Sequence, residues 1–282
     1  MPDPTADARG AMAVVPGIDA LTADLGRLFI VIGVFDGLHL GHAYLLEHLS
    51  REAARLHARP TVITFDHHPD EILTGAAPPL LCDPAERLER LAAAGVEVTV
   101  VQHFDVALRE TLFDTFVRRM TERVGIAGFL MTPDSAFGYQ RGGTPQTLAA
   151  LGRQVGFDVV TVPPFSLDGE PVRSTDVRGA IASGDLAAAE RLLGRPVSVR
   201  GSSRGGGDGA ATELDFPLPV ALPPTGRYHA RVAIRDTVAG ALPAARGLIL
   251  VVDGPAARLE PAFDTRPGAR LTVTLESRPM AG

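Results

Sequence analysis

LFIVIGVFDGLHLGHAYLL, residues 28–46, is the stretch that decides how this chain is read. An apolar run over 28–34 breaks into Phe35, Asp36, Gly37, Leu38, His39, Leu40, Gly41 and His42, and leucines at helical spacing follow. A short apolar run bounded by turn residues reads as a central strand of a parallel sheet. Gly37 and Gly41 let the backbone bend and let a ligand come close. Free amides at a helix start carry partial positive charge and favour phosphate. His39 and His42, three apart, fall on one side of that first turn and can address one anion. Strand, turn and helix together read as a nucleotide site. Taken alone, the turn also fits an ordinary strand-to-helix connection with two surface histidines.

Outward from this stretch, apolar runs and helical patterns alternate. Strands are predicted at 60–65, 96–101, 127–131 and 157–162. Helices are predicted at 43–56, 83–94, 111–124, 144–156 and 185–193, with one more N-capped by Ser174 or Thr175. Such alternation predicts an α/β fold with a Rossmann-like parallel sheet. Ligands of open parallel sheets sit at the carboxyl ends of the strands. Asp66, His67, His68 and Pro69 follow the second strand, and the loop over 132–143 follows the fourth, so both reach the rim that holds His39 and His42. A metal site among these histidines matches no standard zinc spacing, and no metal ligands are assigned. Arg87 reads as a solvated helix charge.

Composition shifts near residue 195. Alternating β-branched segments at 197–200, 228–234, 248–252 and 271–275, separated by Pro and Gly, predict a small antiparallel β-barrel. The glycine-rich run 201–209 reads as a flexible linker or a phosphate-cradling loop. The expected domains are an irregular segment 1–27, a nucleotide-binding domain 28–194 and a barrel 195–282. Hydrophobic residues make up 45% of the 282, enough for a sizeable core. A net charge of -6 argues against a nucleic-acid partner. All 27 cations are Arg, so any cation meeting a phosphate does so with a planar fork. Cys82 is alone, which excludes an internal disulfide and suits the cytoplasm. The acidic N-terminus is not built like a signal peptide. No apolar run approaches the ~20 residues of a membrane span, so no membrane partner is expected. Oligomeric state stays open.

Gly33, Phe35, Asp36, Gly37, His39, Gly41 and His42 form a G-x-F-D-G-x-H-x-G-H string. It resembles the adenylyltransferase half of the prokaryotic bifunctional riboflavin kinase/FAD synthetases, within the H-x-G-H nucleotidyltransferases. Thr64, Phe65, Asp66, His68 and Pro69 resemble the family's T-F-D-P-H-P segment, with His67 in place of the first Pro. Asp134, Phe137, Gly138, Arg141 and Gly143 resemble its G-x-D/N-F-x-F-G-x-x-R-x-G loop, while Thr132 and Ser135 depart from it. Ser174, Thr175, Val177 and Arg178 fit its I-S-S-T-x-I-R segment, while Arg173 and Asp176 depart, the latter expected to face solvent. The string A-x-x-L-L-G-R-P over 189–196 is also similar.

The resemblance implies transfer of AMP from ATP, carried with Mg²⁺, onto FMN to give FAD and pyrophosphate. His39, His42, Ser174, Thr175 and Arg178 become the catalytic candidates, the last three as a clamp on the β- and γ-phosphates. Gly33, Phe35, Asp36, Gly37, Gly41 and Asp134 become nucleotide-binding candidates. Asp66, His68, Pro69, Phe137, Gly138 and Arg141 become flavin-binding candidates. The tail resembles a shortened riboflavin kinase domain, whose G-F-P-T-A-N motif is replaced by residues 215–220. Leu218 and Val220 cannot ligate magnesium, and Glu260 is the nearest candidate base, so kinase chemistry is expected to be lost. Two alternatives stand: a nucleotidyltransferase for another phosphorylated acceptor, and a non-catalytic flavin- or nucleotide-binding protein.

Overall fold

A computed structural model describes residues 11–204, 211–235, 246–262 and 265–276. Most of the glycine run, 205–209, and the first ten residues lie outside the described residues. Six strands form one parallel sheet: β1 (Ala13–Val15), β2 (Arg27–Ile32), β3 (Arg59–Phe65), β4 (Val98–Gln102), β5 (Gly125–Met131) and β6 (Asp158–Thr161). Their order is β1-β4-β3-β2-β5-β6, every pair parallel. The chain leaves β2 toward β3 and β4 on one side, then crosses to β5 and β6 on the other. The order therefore reverses between β2 and β5, and the carboxyl end of β2 is the switch point where open α/β sheets bind ligands.

The strands form where they do because both faces are covered. Leu28, Phe29 and Ile30 of β2 and Val62 and Ile63 of β3 are fully buried, each large apolar side chain contributing about 1.5–3 kcal/mol. Helices α1 (Leu40–Arg55), α2 (Pro69–Thr74), α3 (Pro84–Ala93), α4 (Val106–Arg109), α5 (Phe113–Thr121) and α6 (Pro145–Val155) connect them. Leu46, Leu49 and Ala53 are the buried stripe of α1, and Phe116, Val117 and Met120 that of α5. Expected caps are present: Asp83 Oδ1 accepts the amides of Ala85 and Glu86, and Thr144 and Thr147 form a capping box ahead of Pro145.

A two-stranded hairpin, β7 (Ser166–Leu167) and β8 (Glu170–Pro171), precedes helices α7 (Ser174–Ala182) and α8 (Leu186–Leu193). A closed antiparallel barrel follows, built of β9 (Ser198–Ser203), β10 (Thr212–Asp215), β11 (Gly226–Ile234), β12 (Arg246–Asp253), β13 (Ala256–Glu260) and β14 (Arg270–Leu275). Closure pairs every strand and removes the exposed edges. Alternate residues such as Leu271, Val273 and Leu275 point inward. Among the described residues no helix is long and apolar enough to cross a membrane.

Several expectations need correction. Residues 13–15 are not irregular: β1 pairs with β4, and Val15, Ile18 and Leu21 are buried. Three residues are too few to show a period in sequence. Gly201, Ser202 and Ser203 belong to strand β9, not to a linker. α7 begins with Ser174 at its first helical position and Arg173 as N-cap, because Asp176 accepts the Arg173 amide at 3.1 Å. Arg87 is buried, not solvated. The chain forms two compact units. One compact unit holds the described residues through Phe35 with 42–77 and 88–165; the other holds 36–41, 78–87 and the described residues from Ser166 on. The reason is packing: Val177, Ile181, Leu186, Ala189 and Leu193 share one core with Val199, Leu250 and Leu271 of the barrel.

Candidate active site

After β2 the chain makes a tight turn that three left-handed residues create: Phe35 (φ 52°), Gly37 (φ 77°) and Leu38 (φ 39°). Positive φ at Phe35 and Leu38 is a stored cost that surrounding contacts must offset, a pattern found at functional loops. Those contacts centre on Asp36, which is 2% exposed. Its carboxylate accepts the amide of Leu81 at 3.0 Å and that of Cys82 at 3.1 Å, and it pairs with Arg178 Nη2 at 2.5 Å. Arg178 Nε donates to the Pro79 carbonyl at 2.8 Å, so one guanidinium joins two segments. Ser174 Oγ donates to the Asp36 carbonyl at 3.1 Å, and Arg195 Nη2 donates to the Gly37 carbonyl at 2.7 Å. Gly37 N in turn donates to Cys82 Sγ at 3.3 Å. Burial, then the nearby Asp36 charge, pushes the Cys82 thiol up to about 12, so it stays protonated and can hydrogen-bond the carboxylate.

His39 immediately precedes α1 and is 4% exposed. Burial lowers its pKa to about 4; Arg195 and Arg178 push the same way, while Asp176 and Asp36 oppose. A neutral imidazole results at ordinary pH, with one N–H to donate and one nitrogen to accept. His42 lies in the first turn of α1, which starts three residues earlier than the spacing predicts, and its ring packs 4.9 Å from that of Phe35. Packing within the protein also calls for glycine at 41. A Cβ there would sit 2.9 Å from the Val172 carbonyl oxygen, so the crowding comes from the protein itself.

At the carboxyl ends of β2, β3 and β4 lies a cavity of about 670 Å³. Its wall includes Gly33 and Val34 after β2, Phe65 and Pro69 after β3, and Phe104 after β4. The loop over 136–141 closes another side. Phe137 packs among Phe113, Phe116 and Phe129 and pairs its backbone with Gly143. Gln140 and Arg141 hold left-handed φ of 52° and 57°, and Arg141 Nη2 donates to the Asp134 carbonyl at 3.0 Å. A mostly apolar, aromatic-lined cleft with Arg109 and Arg141 among its lining suits a flat ring system that carries an anion.

The expected residues thus fall into groups. Gly33, Pro69, Phe137, Gly138 and Arg141 line the cavity together. Asp36, Gly37, His39, Gly41, Ser174 and Arg178 meet around the turn. Asp36 and Ser174 are bonded to protein groups there, and Arg178 is tied to Asp36 and Pro79. Thr175 and Asp176 are exposed, the latter as expected. Asp134 is exposed, His68 Nδ1 caps α2 by accepting the Asp70 amide at 3.2 Å, and Asp66 lies 2.6 Å from His103. Sequence reasoning passed over Phe104, Arg109 and Tyr139 in the cavity and Arg195 at the turn. Phe104 was findable, since it follows the end of a strand on the same rim.

A doubly wound parallel sheet whose switch-point strand runs into a His-x-Gly-His turn defines the Rossmann-like nucleotide-binding class. Within it, the chain belongs to the FAD synthetase family, whose profile matches residues 22–176. It is 33% identical over 192 residues to a bifunctional riboflavin kinase/FMN adenylyltransferase of Haemophilus influenzae, covering 67% of this chain and 62% of that protein. The enzyme of the same name from Escherichia coli is 33% identical over 193 residues, again covering 67% and 62%. This chain therefore matches less than two thirds of the length of these relatives. A crystal structure titled a macrolide-efflux protein from Streptococcus pneumoniae has a TM-score of 0.75, 21% identity, and coverage of 94% and 89%. That likeness establishes the fold.

Proposed function

We propose that this chain is an FMN adenylyltransferase, forming FAD and pyrophosphate from FMN and the Mg²⁺ complex of ATP. The observation that carries the reading is the shared wall of the cavity. Gly33 and Val34, which open the His-x-Gly-His turn, line the same space as the aromatic loop over 136–141. A flavin ring seated against Phe137 and Phe104 leaves its phosphate to Arg109 and Arg141, which line the same cavity.

In the reaction, an FMN phosphate oxygen attacks the α-phosphorus of ATP. The bond from that phosphorus to the α,β-bridging oxygen breaks, and pyrophosphate leaves with the electron pair. The attacking group is already an anion, so catalysis is mainly positioning and charge stabilisation. Neutral His39 donates its N–H to an α-phosphate oxygen, and His42 does the same from the first turn of α1. Thr175 and the amides that open α7 hold the leaving phosphates. Ser174 and Arg178 act by fixing the turn through Asp36. Mg²⁺ enters with ATP, and phosphate oxygens supply its main ligands.

Loss of riboflavin kinase chemistry is part of the proposal. The side chains of Leu218 and Val220 offer no oxygen for a metal. The segment carrying them is tied down, with Leu80 N donating to the Pro219 carbonyl and Ala221 N to the Leu80 carbonyl, each at 2.8 Å. Glu260 is a poor base: hydrogen bonds from Arg227 at 2.8 Å and Arg258 at 3.0 Å hold its carboxyl below the usual range. A cytoplasmic setting suits a free buried thiol and substrates of this kind. The test replaces His39 and His42 together with Asn. FMN should still quench on binding while FAD formation is lost; unchanged FAD formation defeats the proposed roles, and lost FMN binding shifts them from chemistry to binding.

A further inference from the structure

Asp66 directly follows β3, and His103 directly follows β4; the register pairs Phe65 with Gln102, which brings the two strand ends side by side. His103 Nδ1 lies 2.6 Å from Asp66 Oδ2, and His67 Nδ1 lies 3.9 Å from Asp66 Oδ1. The two imidazoles sit edge to face with ring centres 5.6 Å apart. One ligand atom from each of the three residues lies within 4.8 Å of the others. We propose that Asp66, His67 and His103 form a binding site for a divalent transition-metal ion of borderline softness, of which Zn²⁺ is the representative.

Three observations carry this. First, the donors lie close enough to converge on one ion. Tetrahedral ligands at about 2.0–2.2 Å from zinc lie about 3.4 Å from one another. One donor atom from each of the three residues lies within 4.8 Å of the others, and rotation of these exposed side chains brings them to that separation, with a metal ion replacing the present contact of His103 Nδ1 to Asp66 Oδ2. Second, the carboxylate is already oriented. Asp66 Oδ1 accepts the His67 amide at 2.7 Å and the Phe104 amide at 3.0 Å, which leaves Oδ2 directed at His103. Third, two imidazoles and one carboxylate select for zinc-like ions; a site for Mg²⁺ or Ca²⁺ would present oxygens. Three protein ligands leave further positions for water.

Placement gives such a site a purpose. Phe65 and Phe104, neighbours of Asp66 and His103, line the cavity and touch edge to face at 5.2 Å. A metal bridging the ends of β3 and β4 would staple that part of the wall. His67, in the position where the family pattern has Pro, supplies the third donor.

The test titrates the full chain, stripped with chelator and dialysed, with Zn²⁺ alone by calorimetry. It needs neither ATP nor FMN, so it stands apart from the proposed activity. One site per chain is expected in the unaltered protein. His67→Ala and His103→Ala should each weaken it by at least about tenfold, and His229→Ala, an exposed histidine in β11, should leave it unchanged. Co²⁺ should give visible d–d absorption that both substitutions abolish, and circular dichroism confirms that the variants are folded. No binding by the unaltered protein, or binding unchanged in both variants, overturns the proposal. Loss in only one variant overturns the three-ligand arrangement.

Discussion

Asp36 and Arg178 form a buried ion pair at 2.5 Å across 142 residues of chain, with side chains 2% and 16% exposed. The pair joins the turn after β2 to α7. Breaking a buried pair leaves a desolvated charge behind, at a cost of about 3–5 kcal/mol. Arg178→Ala should therefore lower stability by about 3 kcal/mol in urea denaturation and cut adenylyl transfer strongly. Arg178→Lys should not rescue either property, since Nε and Nη2 bond different segments and one ammonium cannot span both. A Lys variant with native stability would show that the pair is not what holds the turn.

Burial of His39 makes stability depend on pH. Its ordinary value of 6.5 drops to about 4 in the folded chain. Between those values the unfolded chain binds a proton that the folded chain refuses. Stability therefore falls as pH falls through that window, by up to about 3 kcal/mol in total, and above it His39 contributes no pH dependence. Urea midpoints at several pH values should fall more steeply for the natural chain than for His39→Asn. Parallel curves would place the imidazole in water.

ATP changes the same equilibrium. A phosphate anion beside His39 favours its protonated form, so nucleotide binding near pH 5 should take up a proton. Calorimetry in two buffers of different ionisation enthalpy measures that uptake directly. No difference between buffers would put the triphosphate elsewhere.

Gly138 controls the cavity loop. Its φ is +75°, and a Cβ there would sit 2.7 Å from the Phe113 backbone nitrogen. Strain of this kind costs on the order of 1–3 kcal/mol, so Gly138→Ala should weaken FMN binding about tenfold or more, as read by flavin fluorescence quenching. ATP affinity should be unchanged. Equal loss of both ligands would mean general unfolding instead.

Much of the molecule was legible because its determinants are local. Leu28 to Val31 announce a strand buried on both faces, and the turn after it carries its glycines and histidines in one string. The barrel was legible from alternation in β11, β12 and β14; β10 and β13, the shorter strands, were not. What remained hidden depends on residues far apart in sequence. Nothing near Asp36 in sequence reveals that its carboxylate is bonded to Leu81, Cys82 and Arg178. The pairing of Asp66 with His103 becomes visible only once β3 and β4 are in register. Helix α7 reads as an ordinary extension of the first domain until the barrel core is seen covering Val177 and Ile181.

The most direct measurement is a chromatographic end-point assay of the purified chain with ATP and Mg²⁺, with FMN in one tube and riboflavin in another. FAD from FMN, with neither FMN nor FAD from riboflavin, is the predicted result. FMN or FAD from riboflavin would contradict the assigned loss of kinase chemistry, and no FAD from FMN with the folded chain would contradict the adenylyltransferase reading itself.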